Sequence, residues 1–361
     1  MKKKIKIFVF NPYPAIGGVD TSLKRFLLSL GKNYEIEYLS LRKAENFKRS
    51  NIKNTIIKSK STLISFFKIY KIYKNSTHDK KFFFSIQYFV NIWSIIFIKL
   101  ILRGKLFIYD VNHLDEFNHF DNSLDYIKKK IIKFLVKYLY KYADIAASNS
   151  KELSRDLSKY TNKKIKTIYN PCFKKIIKRR NPYKIKGQIK VLNISRFEKQ
   201  KDHLTIIKAI KHSKLEKKIE LTLVGYGSEY KKIRNEINKN RIKSKILTNK
   251  KELDKFYKNS NLYVCSSLYE GLPTTVIEAA SYCLPIISSN FKSGSKEIFY
   301  NGQGGYIFKA GDYKSLSEYL IRFYNNPKSF HRKERFCRKN LYRFSIKRNT
   351  NLFLNLIKKL V

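Results

Sequence analysis

Two carboxylates and two cations in the C-terminal half of this 361-residue chain have the types and spacing to act together. Glu270 and Glu278 flank the turn Gly271-Leu272-Pro273-Thr274-Thr275, which closes an apolar run and opens a helix. A carboxylate accepts two hydroxyl hydrogen bonds, so either Glu can grip the vicinal diol of a ribose or hexose. The helix start, with Thr274 as its cap, offers unpaired backbone N–H groups to a phosphate or sugar oxygen. The plain alternative is a helix-terminal acid at Glu270 and a solvated Glu278. Acids are scarce, 27 against 77 Lys and Arg, so two at this spacing stand out. Arg196 and Lys201 follow the apolar run 189–194 and precede another helix. Two cations beside the positive end of a helix repel each other unless an anion sits between them. A diphosphate suits such a place, Arg supplying a planar fork and Lys a mobile point charge. In so lysine-rich a chain, composition alone also puts such residues in loops.

Ligands of open parallel sheets sit at the carboxyl ends of strands, so alternating strands and helices must hold these groups. Residues 4–11 form an apolar run that ends in a turn with Pro12, Pro14, Gly17 and Gly18. A helix with Leu23, Phe26, Leu27 and Leu30 at helical spacing follows over 20–30, capped by Asp20 or Thr21. Strand, glycine turn and helix form the opening unit of a doubly wound sheet. The pattern predicts strands at 34–41, 82–86, 106–111, 144–148 and 165–169, with helices at 62–73, about 89–102, 123–142 and 151–159. Residues 170–188, with two Asn-Pro pairs and a basic cluster, interrupt it. A second alternation places strands at 189–194, 219–224, 261–265 and 284–288, with helices at about 202–211, 228–238 and 274–282. The expected organisation is an N-terminal Rossmann-like domain over 1–170 and a linker over 171–188. A C-terminal Rossmann-like domain follows over 189–330, with helices over 331–361.

The length implies two domains, and the hydrophobic fraction of 43% argues against disorder. Four scattered cysteines without a CxxC pair argue against a zinc ribbon or a disulfide framework and fit a reducing cytoplasm. The net charge of +50 is spread almost evenly over the two halves, which leaves no basic tail or basic domain. Lys, Ile, Asn, Tyr and Phe, all with A/T-rich codons, are abundant together, so codon bias with a solvated surface explains the charge. Attraction to an anionic membrane and nucleic-acid binding are the competing readings. The apolar stretch 5–10 is too short for the core of a signal peptide. Residues 82–102 are apolar enough to suggest a membrane span, but contain Ser85, Gln87, Asn91, Ser94 and Lys99; a buried strand followed by a helix is the simpler reading.

The stretch 266–290, SSLYEGLPTTVIEAASYCLPIISSN, resembles the Glu-x7-Glu signature of family-4 retaining glycosyltransferases of the GT-B fold. Further matches follow in order along nearly the whole chain. They are Gly17-Gly18-Val19, Ser148-Asn149-Ser150, Tyr169-Asn170-Pro171, Ser195-Arg196-Phe197 with Lys201, Leu223-Val224-Gly225-Tyr226-Gly227, Gly294-Ser295-Lys296-Glu297-Ile298 and Gly304-Gly305-Tyr306-Ile307. The resemblance implies two Rossmann-like domains facing a cleft, residues 1–170 as the acceptor domain and 189–330 as the nucleotide-sugar domain, with the helices of 331–361 packing back onto the N-terminal domain. Arg196 and Lys201 would hold the donor pyrophosphate, Glu270 would contact hydroxyls of the transferred sugar beside the turn Gly271, Leu272, Pro273, Thr274 and Thr275, whose backbone N–H groups (all but that of the proline) lie nearby, and Glu278 would bind the ribose diol. Gly17 and Gly18 would bring backbone close to the donor phosphate and acceptor. His113 takes the sugar-contacting role of the family's histidine, with His119 as second candidate. Residues 247–250, LTNK, stand where the family has a glycine-containing loop that contacts the base.

The resemblance thus implies retaining transfer from a nucleotide-diphosphate sugar, a UDP-sugar, to a glycan acceptor in surface polysaccharide or glycoconjugate synthesis, with the leaving phosphate as base. No Asp-x-Asp occurs, so no essential metal and no cofactor beyond the sugar nucleotide is expected. The helix at 123–142, with Lys128-Lys129-Lys130 and Lys133, Lys137 and Lys141 among apolar residues, either lies on anionic lipid or turns one face to the core and a lysine face to water. The lipid reading gives a lipid-linked acceptor and a cytoplasmic protein on the inner face of the membrane, without nucleic acid as partner. A non-catalytic, basic protein of the same fold that binds membrane or nucleic acid is the competing function.

Overall fold

The structure is a computed structural model that describes residues 4–14, 17–43, 47, 49–118, 120, 122–177, 182–183, 185, 187–248 and 252–360. The chain divides into two compact units. One comprises Met1–Pro171 with Ile346–Val361, the other Cys172–Ser345.

The first unit is built on seven parallel strands. In chain order they are β1 Ile5–Phe10, β2 Tyr34–Ser40, β3 Ile52–Ile56, β4 Lys81–Ile86, β5 Leu106–Asp110, β6 Ile145–Ser148 and β7 Lys166–Thr167. They lie in the order β3-β2-β1-β4-β5-β6-β7. Both faces are covered, so β1, β4 and β5 are buried along nearly their whole length rather than alternately. Phe8 and Phe10 of β1 and Phe83 of β4 enter one core cluster, while Ile7, Val9, Phe82 and Phe84 enter the other. The first core is closed by the helices Thr62–Lys74, Tyr88–Ser94 and Ser123–Leu139. The second is closed by Gly18–Ser29 and by the helix Ile346–Leu360, whose Phe353 ring lies 5.2 Å from Phe26, 5.1 Å from Phe84 and 5.3 Å from Phe107.

The second unit holds six parallel strands: β8 Ile189–Ile194, β9 Ile219–Val224, β10 Ser244–Leu247, β11 Leu262–Cys265, β12 Ile286–Ser289 and β13 Tyr306–Phe308. Their order is β10-β9-β8-β11-β12-β13. Neighbouring β8 and β11 carry the loops that hold Arg196, Lys201 and Glu270.

Several expectations differ in detail. Residues 172–188 group with the second unit rather than standing between the two. The C-terminal helices part company: His331–Lys339 stays with the second unit, where the Cys337 thiol faces the Ile298 carbonyl, and only Ile346–Leu360 packs in the first. The first helix begins earlier than expected, with Gly17 as N-cap and no side-chain cap bond. Asp20 sits inside its first turn, and its Oδ1 accepts from the Asn11 amide at 2.5 Å. Thr274 is not a cap either; Pro273 occupies that position, without a side-chain bond. Beyond Tyr88–Ser94 the chain widens to a π-helix over Ile95–Ile101, and among the described residues no helix is long and apolar enough to cross a membrane. All four cysteines are buried.

Candidate functional site

At the carboxyl ends of β8 and β11, four hydrogen bonds join the loop bearing the cations to the loop bearing Glu270. The Leu268 N–H donates to the Gln200 carbonyl at 2.8 Å, and the Gln200 side-chain amide donates to the Tyr269 carbonyl at 2.7 Å. The Ser266 hydroxyl donates to the Lys201 carbonyl at 2.9 Å. The Lys201 ammonium donates to Glu270 Oε1 at 2.5 Å, with 12% of the Lys and 10% of the Glu side chain exposed. Ser267 donates to the same oxygen at 2.7 Å. Two donors on one carboxylate oxygen, one of them charged, fix the direction of the Glu270 side chain. Arg196 is the exposed member of the set, its guanidinium 3.5 Å from Gln200 Oε1.

Glu278 is on the helix Thr274–Ser281, and it is buried, contrary to the reading of a solvated acid. The Tyr257 hydroxyl donates to its Oε2 at 2.9 Å. Tyr263 ties the helix start back to β8, its hydroxyl 2.9 Å from Thr275 Oγ1 and 3.1 Å from the Ile194 carbonyl. Gly271, Leu272, Pro273 and Thr274 are buried, and Thr275 is half-buried. Gly294, at φ +102, leans on this turn so closely that a Cβ there would meet the Gly271 carbonyl at 2.9 Å. Lys201, Glu270, Gln200 and the Glu278 helix thus gather at one end of one sheet, with Arg196 beside them.

The ground beneath the cation loop is neutral. The Asn193 amide donates to the Val264 carbonyl at 2.9 Å, which turns its oxygen toward Ser195, and Ser195 donates to it at 2.7 Å. The Ser195 oxygen therefore accepts from His203 Nε2 at 3.0 Å, and His203 is the neutral tautomer with a bare Nδ1. Burial, and then the nearby Lys201 charge, hold its pKa at about 3. Asp202 caps the helix His203–His212 through the Thr205 N–H at 3.4 Å, so this helix start carries its own anion. Beside Glu270, Cys265 is kept a thiol by burial and by the carboxylate charge.

In the first unit, His113 is buried at the end of β5 with both ring nitrogens engaged. The Asp115 N–H donates to Nδ1 at 3.1 Å, so Nε2 carries the proton and donates to Asp156 Oδ2 at 3.2 Å. Gly17 and Gly18 are the cap and first residue of the helix that follows β1. Below His113, the fully buried Asp110 accepts from the Asn91 amide at 2.9 Å and Tyr140 at 3.0 Å, and burial raises its pKa well above the carboxylate range. His119, Asn249 and Lys250 lie outside the described residues. Among the described residues, no group of three His, Cys, Asp or Glu side chains is placed to hold a metal ion.

Gln200, Ser267, Tyr257 and His203 are partners that the sequence reading missed. Gln200 and Ser267 lie inside the loops singled out for their charges, so their position was a signal. Tyr257 is separated from Glu278 by a strand and a loop, and nothing local marks it.

The family of glycosyl transferases group 1 matches this chain over residues 175–340. An uncharacterized glycosyltransferase of Methanocaldococcus jannaschii is 39% identical over 110 residues, 30% of this chain and 27% of that protein. The amylovoran biosynthesis glycosyltransferase AmsD of Erwinia amylovora is 34% identical over 98 residues, 27% of this chain and 26% of that protein. The chain thus spans about a quarter of the length of these curated relatives. Among solved structures, Anabaena HepE in complex with UDP-glucose superposes with a TM-score of 0.83 over 99% of this chain and 100% of that one, at 14% identity. That likeness carries the fold, and the fold is GT-B.

Proposed function

We propose, from the premise that the chain belongs to the glycosyl transferases group 1 with a GT-B fold, that it transfers a sugar from a nucleotide-diphosphate donor to a glycan acceptor. The observation that carries the proposal is the pairing of Lys201 with Glu270 beside Arg196 and the buried Glu278, all within one unit. The donor is a UDP-sugar, as HepE binds in its solved complex. The product belongs to a surface polysaccharide or glycoconjugate, as the part of the Erwinia relative in amylovoran biosynthesis suggests, and the acceptor is lipid-linked.

Breaking the sugar–phosphate bond sends its electron pair to the diphosphate. Lys201 and Arg196 stabilise that charge as it develops, and the N-terminus of the helix Thr274–Ser281 adds its dipole. Glu270 holds hydroxyls of the departing sugar, and Glu278, oriented by Tyr257, holds the ribose diol. The acceptor hydroxyl attacks the face from which the diphosphate leaves, and its proton passes to the leaving phosphate, so configuration is retained. Two cations and a helix end supply the charge that Asp-x-Asp and a metal supply elsewhere, so the reaction needs no metal.

A thermal-shift panel of nucleoside diphosphates tests this directly. UDP is expected to raise the melting temperature of the wild type and not of Lys201→Met, and mass spectrometry is expected to find slow hydrolysis of one UDP-sugar. A panel in which no nucleoside diphosphate shifts the melt removes the proposal. Affinity for duplex DNA or RNA that falls steeply with salt would favour the competing reading instead.

A further inference from the structure

The helix Ser123–Leu139 spends two faces on apolar side chains, and the fold uses only one. Val136 and the following Tyr140 are fully buried, and Ile132, Leu135 and Leu139 pack on the core beside them. On the opposite side Leu124, Ile127, Ile131, Phe134 and Tyr138 follow one another at spacings of three and four, a single stripe about 20 Å long. They are 70%, 52%, 54%, 59% and 48% exposed. Lys128 flanks the stripe on one side, Lys130, Lys137 and Lys141 on the other, all exposed. The only acid of the helix, Asp125, is paired with Lys129 at 2.7 Å, away from the stripe. The helix Thr62–Lys74 covers the same core and repeats the arrangement, exposing Ile64 and Phe67 beside Lys68 and Lys71.

A solvated helix face has no use for five large apolar side chains in register, and a phosphate-tracking surface needs only the cations. An apolar stripe bordered by lysines matches an interfacial helix, with its centre among acyl chains and its ammonium groups at lipid phosphates. We propose that this face of the first unit docks on an anionic lipid bilayer, with the helix Ser123–Leu139 lying in the headgroup region. The surface goes beyond the donor chemistry, which lies in the other unit, and gives a lipid-linked acceptor a place to meet the protein.

The test is flotation of the full chain with vesicles of phosphatidylcholine alone, or with about one third phosphatidylglycerol, at near-physiological salt. Binding is expected to the anionic vesicles and not to the neutral ones. Ile131→Asp combined with Phe134→Asp is expected to lower partitioning at least about tenfold. Lys128→Gln and Lys137→Gln are each expected to lower it about fivefold. All these side chains are exposed, so melting temperature and its shift by UDP are expected to stay at wild-type values, which separates failure here from failure of the donor reading. Absence of binding to the anionic vesicles overturns the proposal. Binding that survives the double Asp substitution also overturns it, because the lysines alone then account for adsorption. A wild-type dimer that the Asp variant disperses, with vesicles left bare, assigns the face to a second copy of this chain. Duplex DNA that binds as tightly as the vesicles and competes with them assigns it to nucleic acid.

Discussion

The Lys201 ammonium is engaged by Glu270, so on the proposed assignment a diphosphate must compete for it. Glu270→Gln isolates that competition. The substitution keeps the shape and the acceptor for Ser267, and removes the charge that holds Lys201. Both side chains are nearly buried, so leaving the ammonium without its counter-charge is expected to cost about 3 kcal/mol of stability. In a unit of this size that lowers the melting temperature by about 6–12 °C. UDP binding is expected to move the other way. A charge-assisted hydrogen bond contributes about 1.5–3 kcal/mol, and a lysine released from Glu270 can give that to the diphosphate. The gain in UDP affinity is therefore bounded at about 10- to 150-fold, and Lys201→Met is expected to lose a similar factor. On the proposed assignment, with Glu270 at the sugar and Lys201 at the leaving group, transfer should fall in both variants. Titration calorimetry with UDP at fixed ionic strength, beside thermal melts, reads both signs. If Glu270→Gln weakens UDP binding as much as Lys201→Met does, the pair is a strut that shapes the site, and the competition argument is wrong.

Three further outcomes follow from the geometry. His203, held near pKa 3 against about 6.5 in the unfolded chain, takes up its proton first on unfolding, so its contribution to stability is complete above pH 6.5 and is lost as pH falls toward 3. Denaturant titrations should lose about 2 kcal/mol between pH 6.5 and 5 on its account, and His203→Gln should flatten that slope; an unchanged slope refutes the assignment. A Cβ on Gly225 would stand 1.9 Å from the Ser195 carbonyl oxygen, so Gly225→Ala must push the cation loop aside, with a loss of at least about 2 kcal/mol and weaker UDP binding in the same calorimetric assay. Phe353→Ala removes the ring lodged among Phe26, Phe84 and Phe107 and is expected to cost about 3–5 kcal/mol in a chemical-denaturation curve, with UDP affinity unchanged.

The central strands were readable because both of their faces are covered, which writes them as largely apolar runs such as IKIFVF and LFIYD, broken only by Lys6 and Asp110. The strands that escaped notice are at or near the margins. Ile52–Ile56 and Ser244–Leu247 are the first strands of their sheets, and β3 carries Lys53, Asn54 and Thr55 because one side of an edge strand meets solvent. Tyr306–Phe308, at the far edge, has three residues, too few for any period to show. The widening of the helix at Ile95 left no trace either, since the segment is apolar but for Lys99 and no residue in it marks a change of pitch. In the candidate site, charge scarcity drew the eye to Glu270 and Glu278, whereas Tyr257 and His203 act through distance in the fold. His113 was placed by motif order, and only coordinates show that Asp115 and Asp156 already engage its ring.

The return of the chain to its first unit has a consequence for biosynthesis. Phe353, Ile357 and Leu360 fill a core whose other walls come from residues before 170. A ribosome delivers these side chains only after the whole second unit has emerged, so the first-made half must wait with one face of its sheet uncovered. A nonsense codon between Ser345 and Phe353 would therefore strike the half of the protein translated earliest. The second unit, complete by Ser345, would be spared.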